Sequence, residues 1–449
     1  MACARARRAH WAQLPMNDWK RTLIILSVAQ LLSAIGFSMI FPFLPNYVEA
    51  LGSSTGTSLV FWAGAVFSAQ ALTMMIASPL WGAAADRLGR KPMVARAMFG
   101  GAVVILLMAF ARSAEELTLL RAIQGLLTGI GSAANALVAS ITPRERSGYA
   151  MGILQTALWS GVAVGPVMGG VLADLYGFRV AFVVTAGLLV VGGLLVTFGV
   201  REEFKPTERS GQGVIGDWQE ILRTRGVAVT YTARFTATLG RGLLVPVLPL
   251  FVPLIMMSSQ GVSTMIGLVI GVSSATGTVS AIILGNLGDR IGHKRVLVWS
   301  ALGAALAYIP MAFVTEPWQL LLLNAVSGVA IGGVMPALSA LLAGYSTQGS
   351  IGSAFGLDNS VMSASRAFAP LVGVGVASLF GYRSAFLAGS IIYLLTLAVA
   401  ALKLPSPPLP NSTVRSKQSA RSLGSTAPTA SEGDGTSAPR TEGSTAPRE

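Results

Sequence analysis

The chain contains one cysteine, Cys3, and two histidines, His10 and His293. A single thiol closes no disulfide, and neither histidine lies in an apolar stretch, so a disulfide framework, a dithiol redox centre and a buried His/Cys metal site are excluded. Charge is scarce too: 11% of the 449 residues are Asp, Glu, Lys or Arg, against 53% hydrophobic, and the mean hydropathy is +0.65. A soluble fold of this size could not cover so apolar a surface with so few charges. No Gly-x-x-x-x-Gly-Lys-Ser/Thr loop occurs to cradle ATP.

Long apolar runs are abundant. Roughly twelve, of 18 or more residues, cover 22–48, 57–81, 92–112, 117–141, 148–174, 178–200, 226–255, 262–286, 295–315, 318–343, 353–380 and 384–404, each able to cross a bilayer as a helix. The expected fold is an all-α polytopic membrane protein in which residues 22–200 and 224–404 are two six-helix bundles. Residues 1–21 form a basic cytoplasmic tail, with Met16 an alternative start to Met1, and the run from Thr22 is too long for a removable signal peptide. Residues 201–223 are a charged cytoplasmic linker in which Asp217 to Leu222 suggest a short interfacial helix. Residues 405–449, rich in Pro, Ser, Thr and Gly, read as a disordered cytoplasmic tail.

The halves are one unit written twice. Gly82-Ala-Ala-Ala-Asp86-Arg87-Leu-Gly89-Arg90-Lys91 returns 203 residues later as Gly285-Asn-Leu-Gly-Asp289-Arg290-Ile-Gly292-His-Lys294-Arg295. Leu175-Tyr-Gly-Phe-Arg179-Val-Ala-Phe182 returns after 204 residues as Leu379-Phe-Gly-Tyr-Arg383-Ser-Ala-Phe386, Gly125 and Gly129 return as Gly328 and Gly332, and Pro166 as Pro370. Each charged string lies between two apolar runs and is therefore a tight polar hinge at a membrane face.

The net charge of +13 raises nucleic acid as a partner, but its placement argues against that. Arg112, Arg179 and Arg383 fall in the loops opposite the hinges and Arg121, Arg234, Arg241 and Arg366 inside apolar runs, leaving 25 of the 32 basic residues in the termini, the linker and the hinge-side loops. The positive-inside rule puts both termini and both hinges in the cytoplasm, with the chain in the inner or plasma membrane.

The intramembrane charges point to function, because each costs several kcal/mol unless paired or hydrated. Arg234 and Arg241 lie about 20° apart on one helix face and about 10 Å apart along it, which predicts a positively charged cavity wall. Asp358, followed by Asn359, is the one carboxylate clearly within a run. Arg366 stands about 80° round and about 12 Å along from it, too far to pair with it directly. Pro42 and Pro45 predict a kink in the first run, and Pro246, Pro249 and Pro253 an irregular outer half in the seventh. No cluster of nucleophile, base and metal ligands occurs at membrane depth, so neither enzymatic activity nor a cofactor is expected.

Two further strings complete a pattern: Arg121-Ala-Ile-Gln124-Gly125, and Gly161-Val-Ala-Val-Gly165-Pro166-Val-Met-Gly169-Gly170, whose glycines recur every fourth residue. With the hinges, they resemble three motifs, in order, of the twelve-helix drug:proton antiporter branch of the major facilitator superfamily, over about residues 17–404. The resemblance implies that Gly82, Asp86, Arg87, Gly89, Arg90 and Lys91, with Gly285, Asp289, Arg290 and Gly292, form a cytoplasmic gate in which Asp86 faces the N-terminus of the eleventh helix. It implies that Arg121 assists proton transfer and that Gly161, Gly165, Pro166, Gly169 and Gly170 mark the antiporter helix.

The expected activity is proton-coupled export of small amphipathic molecules. Residues 22–48 hold no acid, so Asp358 is the candidate proton carrier, tuned by Arg121 or Arg366, with Asp86 as the alternative. Four intramembrane arginines against one aspartate favour anionic or neutral cargo. Arg234, Arg241, Arg366, Gln30, Gln124, Trp159 and Asn359 are the candidate cavity residues. Expected partners are the cargo, protons and the lipid bilayer, the chain acting as a monomer. An organic-anion or metabolite transporter is the alternative, and a non-transporting receptor or scaffold a remote one.

Overall fold

The computed structural model describes residues 18–127, 146–200, 226–256, 260–345 and 351–405, with Glu202 and a few positions between 134 and 143. The tail expected at 405–449, apart from Pro405, the N-terminal residues before Asp18, the interfacial helix expected in the linker and Gly129 lie outside the described residues. So do the side chains of Gly82, Asp86 and Arg87.

In the first half the helices are α1 (Asp18–Met39), α2 (Leu44–Leu51), α3 (Leu59–Leu88), α4 (Arg90–Met108), α5 (Ala114–Leu127), α6 (Ser147–Tyr176) and α7 (Phe178–Gly199). In the second they are α8 (Val227–Gly242), α9 (Leu244–Ile255), α10 (Val262–Ile291), α11 (His293–Met311), α12 (Pro317–Gly332), α13 (Val334–Tyr345), α14 (Ile351–Phe380) and α15 (Tyr382–Lys403). Among the described residues, ten segments are long and apolar enough to cross a membrane. Helices answer the bilayer's demand that every backbone N–H and C=O find a partner within the chain. The outer surface is correspondingly apolar, with Phe198, Phe313, Leu379 and Leu402 all more than two-thirds exposed.

Proline and glycine place the breaks. The first span bends between α1 and α2 at Ile40 to Phe43, beside Pro42 and Pro45. The seventh departs from expectation: its outer part is a helix, α9, with Pro249 and Pro253 inside it, and the break falls at Leu243. Pro246 lies in the first turn of α9, where its missing N–H has no helical acceptor to lose.

The repeat is three-dimensional. Thr73 Oγ1 donates to the Ala122 carbonyl at 2.8 Å, and Thr276 Oγ1 to that of Ala325 at 3.0 Å, the same bond 203 residues on. It depends on Gly125 and Gly328, where a Cβ would collide with Thr73 and Gln70, or with Thr276 and Ser273. The hinge turns match as well: Gly89 and Gly292 adopt φ of 97° and 98°, a conformation open to glycine at little cost. Each half has its own core, closed near one end by an edge-on aromatic pair, Phe43–Phe182 at 5.4 Å and Phe251–Phe386 at 5.2 Å.

Opposite the hinges, Glu115 at the start of α5 organises the 52–57 loop. One carboxylate oxygen accepts from the Ser53 hydroxyl (2.6 Å), the Thr55 hydroxyl (2.9 Å) and the Ser54 and Thr55 backbone N–H groups (3.1 Å each). These donors, Ser53 foremost, hold its pKa well below the usual carboxylate range. A depressed folded pKa gives stability that is present in full above the unfolded value of 4.5 and is lost as pH falls from there toward the folded value. We therefore expect Glu115→Ala to speed hydrogen exchange of the Ser54 and Thr55 amides at pH 7 by about tenfold or more while leaving spanning helices protected. Unchanged exchange would show that the loop is held otherwise.

Candidate functional site

The four arginines inside the spans have three different environments. Arg234, two turns into α8, is buried, and its Nε donates to Asp358 Oδ1 of α14 at 3.0 Å, with side chains 3% and 7% exposed. Its Nη2 donates to Ser339 Oγ of α13 at 2.8 Å, and its Nη1 lies 3.2 Å from the Met335 sulfur. One guanidinium thus ties three helices of the second half. Sequence reasoning had Arg121 or Arg366 tune Asp358 and placed Arg234 on the cavity wall; the group paired with Asp358 in the structure is Arg234 itself. Met335 and Ser339 were missed, since their only sequence signal is the Gly332-Gly333 break before Pro336.

Arg241 and Arg366 are exposed at mid-span and make no hydrogen bond or ion pair with the described residues. Arg241 shares the face of α8 that carries Arg234. On α14, Ser365 and Ala369 face α8, and Pro370 and Val374 face Gly64 of α3, with Arg366 between these two directions. Exposed Phe368, Leu371 and Val372 mark the opposite, outward side. Arg366 therefore points into the gap between the halves, within electrostatic reach of Arg241 and Arg234.

Arg121 of α5 is 1% exposed. Its Nη1 donates to Gln124 Oε1 at 2.8 Å and its guanidinium stands 5.6 Å from the Phe67 ring centre, while Nε and Nη2 have no partner among the described residues. Gln124 and Gln30 are buried, and Trp159 and Asn359 exposed.

The glycines of α6 have divided duties. Gly161, Gly165 and Gly169 lie against α1, where a Cβ would meet Ala34, Ser38 and the Met39 backbone, and Ser38 Oγ donates to the Gly161 carbonyl at 3.1 Å. Gly170 and the Pro166 carbonyl instead abut Ser263 and Gly267 of α10, in the other half. Nearer the hinges, Gly152 of α6 and Gly356 of α14 face open space. The described contacts of α6 with α10 thus lie toward the face opposite the hinges.

At the hinges, Glu202 accepts the backbone N–H groups of Arg90 and Lys91 (2.9 and 2.8 Å), a carboxylate at the positive end of α4. In the second half Asp289 pairs with His293 at 3.2 Å, both partners in the hinge itself, and Arg290 is exposed.

Two repeated helical halves with apolar spans and charges at mid-span define a multi-pass membrane transporter. The chain belongs to the Major Facilitator Superfamily, whose family model matches residues 26–263 and 230–439, and it is a transporter, not an enzyme. It is 37% identical over 400 residues to multidrug resistance protein MdtG of Enterobacter lignolyticus (strain SCF1), covering 87% of this chain and 93% of that one. Among solved structures, the human organic anion transporter MFSD10 (TETRAN) aligns with TM-score 0.64 and 20% identity over 86% of this chain and 100% of its own. A bacterial homologue of the human lysosomal transporter Spinster, inward-facing and occupied, aligns with TM-score 0.72 and 15% identity over 87% and 97%.

A buried pair is worth less than its rupture costs, because removing one partner strands the other charge. Asp358→Leu should destabilise the detergent-solubilised protein by about 3–5 kcal/mol, and Arg234→Met added to it should restore most of the loss. Thermal unfolding of the two variants checks this. Equal losses would mean that the pair is not the tie between α8 and α14.

Proposed function

We propose that the chain is a proton-coupled exporter of amphipathic small molecules, anionic or neutral, working as a monomer by alternating access. It lies in the inner or plasma membrane with both termini and both hinges in the cytoplasm, the side on which basic residues accumulate. The likeness to multidrug resistance proteins supports export of varied cargo. The observation that carries the reading is the buried Arg234–Asp358 pair beside two exposed, unpaired guanidinium groups, Arg241 and Arg366.

A carboxylate that takes up a proton no longer offers a charge to Arg234. Proton binding and the paired state therefore exclude each other, and protonation loosens the tie among α8, α13 and α14. In the export cycle the paired state loads cargo from the cytoplasmic side and the protonated state resets the empty carrier. Arg241 and Arg366 supply charge for an anionic group, and Arg121, buried with Gln124 in the other half, assists proton transfer, as the family resemblance implies. Asp86, Arg87, Asp289 and Arg290 serve the cytoplasmic gate, as the family resemblance implies.

The same geometry favours a second reading, an organic-anion transporter with the opposite coupling. Protonated Asp358 would free a third guanidinium and raise anion affinity, so that proton and anion travel together. The sign of the pH effect separates the two. For the exporter, cargo added to inverted vesicles collapses an imposed pH gradient, cargo binding weakens as pH falls, and Asp358→Asn abolishes the collapse. Arg241→Ala weakens binding of anionic cargo about tenfold, as loss of a charge-assisted contact predicts. Anion binding that strengthens at low pH would establish the second reading and overturn export by antiport.

A further inference from the structure

We infer that Asp174, at the end of α6, is the latch of a second gate: its carboxylate holds the N-terminus of α10 and clamps the halves together on the face opposite the hinges. The inference rests on the alternating-access reading above. Asp174 Oδ1 accepts the Ser263 N–H at 3.1 Å, and Oδ2 accepts both the N–H and the hydroxyl of Thr264 at 2.6 Å. The helix α10 starts at Val262. The first N–H groups of a helix lack acceptors inside it and stand at the positive end of its dipole, so a carboxylate is the favoured partner. What makes this cap unusual is that donor and acceptor belong to different halves, so the bonds break if this face opens.

Three further observations fit a latch. Beneath Asp174 the two helices meet through glycine and backbone, Gly170 on Ser263, the Pro166 carbonyl on Gly267 and the Ala163 carbonyl on Gly271. At these points glycine leaves one of the two surfaces smooth, so they can part once the polar tie is released. Asp174 is itself exposed at the aqueous edge, and a tie so placed is weak enough to open in each cycle. The repeat does not demand it: the position 204 residues on is Ser378, whose hydroxyl donates to Gly375 in its own helix. The carboxylate thus serves one gate and not the general packing of the half-protein. Asp174 is a positioning residue, acting on the equilibrium between states and not on cargo.

The test reads accessibility and needs no transported cargo. In a Cys3→Ser background, Val167→Cys places a single thiol beneath the latch, against Gly271. A membrane-impermeant thiol reagent is applied from the face opposite the hinges. Asp174→Ala should raise the labelling rate about threefold to tenfold, whereas Asp174→Glu keeps it near the parent value. Independently, Asp174→Cys with Thr264→Cys, oxidised to a disulfide, should stop transport until reductant is added. Labelling unchanged by Asp174→Ala, or full transport by the cross-linked protein, would overturn the latch. If the parent moves no cargo at all, the transport reading fails while the labelling result still stands.

Discussion

A charge inside a bilayer must be matched within the protein or reach water, and that constraint sorts the polar residues of this chain. Arg234 and Asp358 match each other, and because they stand on different helices their pairing draws α8, α13 and α14 together. Arg121 is matched only in part, by Gln124 and the face of Phe67. Arg241 and Arg366 are met by the gap between the halves. The second half therefore holds a buried ion pair close to two exposed arginines.

Around these charges, packing is carried by small residues. Gly125 and Gly328 let a threonine of one helix bond the backbone of the next at equivalent places in both halves. The α6 glycines serve two neighbours: three lie on α1 within the half, and Gly170 lies on α10 across it. A helix that presses one side against its own bundle and the other against the opposite bundle is placed to transmit movement between them. Its junction with α10 is made at glycine and backbone, which suits the reversible contact of our inference.

Helix ends supply a third ordering principle. Glu202 accepts the first N–H groups of α4 and Asp174 those of α10, in both cases a carboxylate at the positive end of a dipole. Glu202 braces a hinge within its own half, and Asp174 reaches across to the other. One physical device thus supports a permanent contact in one place and, on our inference, a reversible one in the other. Glu115 does related work at the far loop, where exposed donors gather on one oxygen.

The fold was legible in the sequence because hydropathy and the repeat are properties of the chain itself. Apolar runs long enough to span fixed the helices, and strings recurring after 203 and 204 residues fixed the two halves. The position of Pro42 and Pro45 foretold the first bend, though the prolines of the seventh span misled: Pro246 sits in the first turn of α9, where no bond is lost, and the helix runs on through Pro249 and Pro253. Charged residues at mid-depth announced a site, because their cost is evident from composition alone. The partners were not legible. Arg234 meets Asp358 across 124 positions, and no local spacing records which helix stands opposite which; Arg234, expected on the cavity wall, is buried, while Arg241 seven residues later is open. Sequence decided what must be buried or matched, since that depends on side-chain chemistry and length. Tertiary structure alone decided with whom, because pairing is settled by how helices distant in sequence are packed side by side.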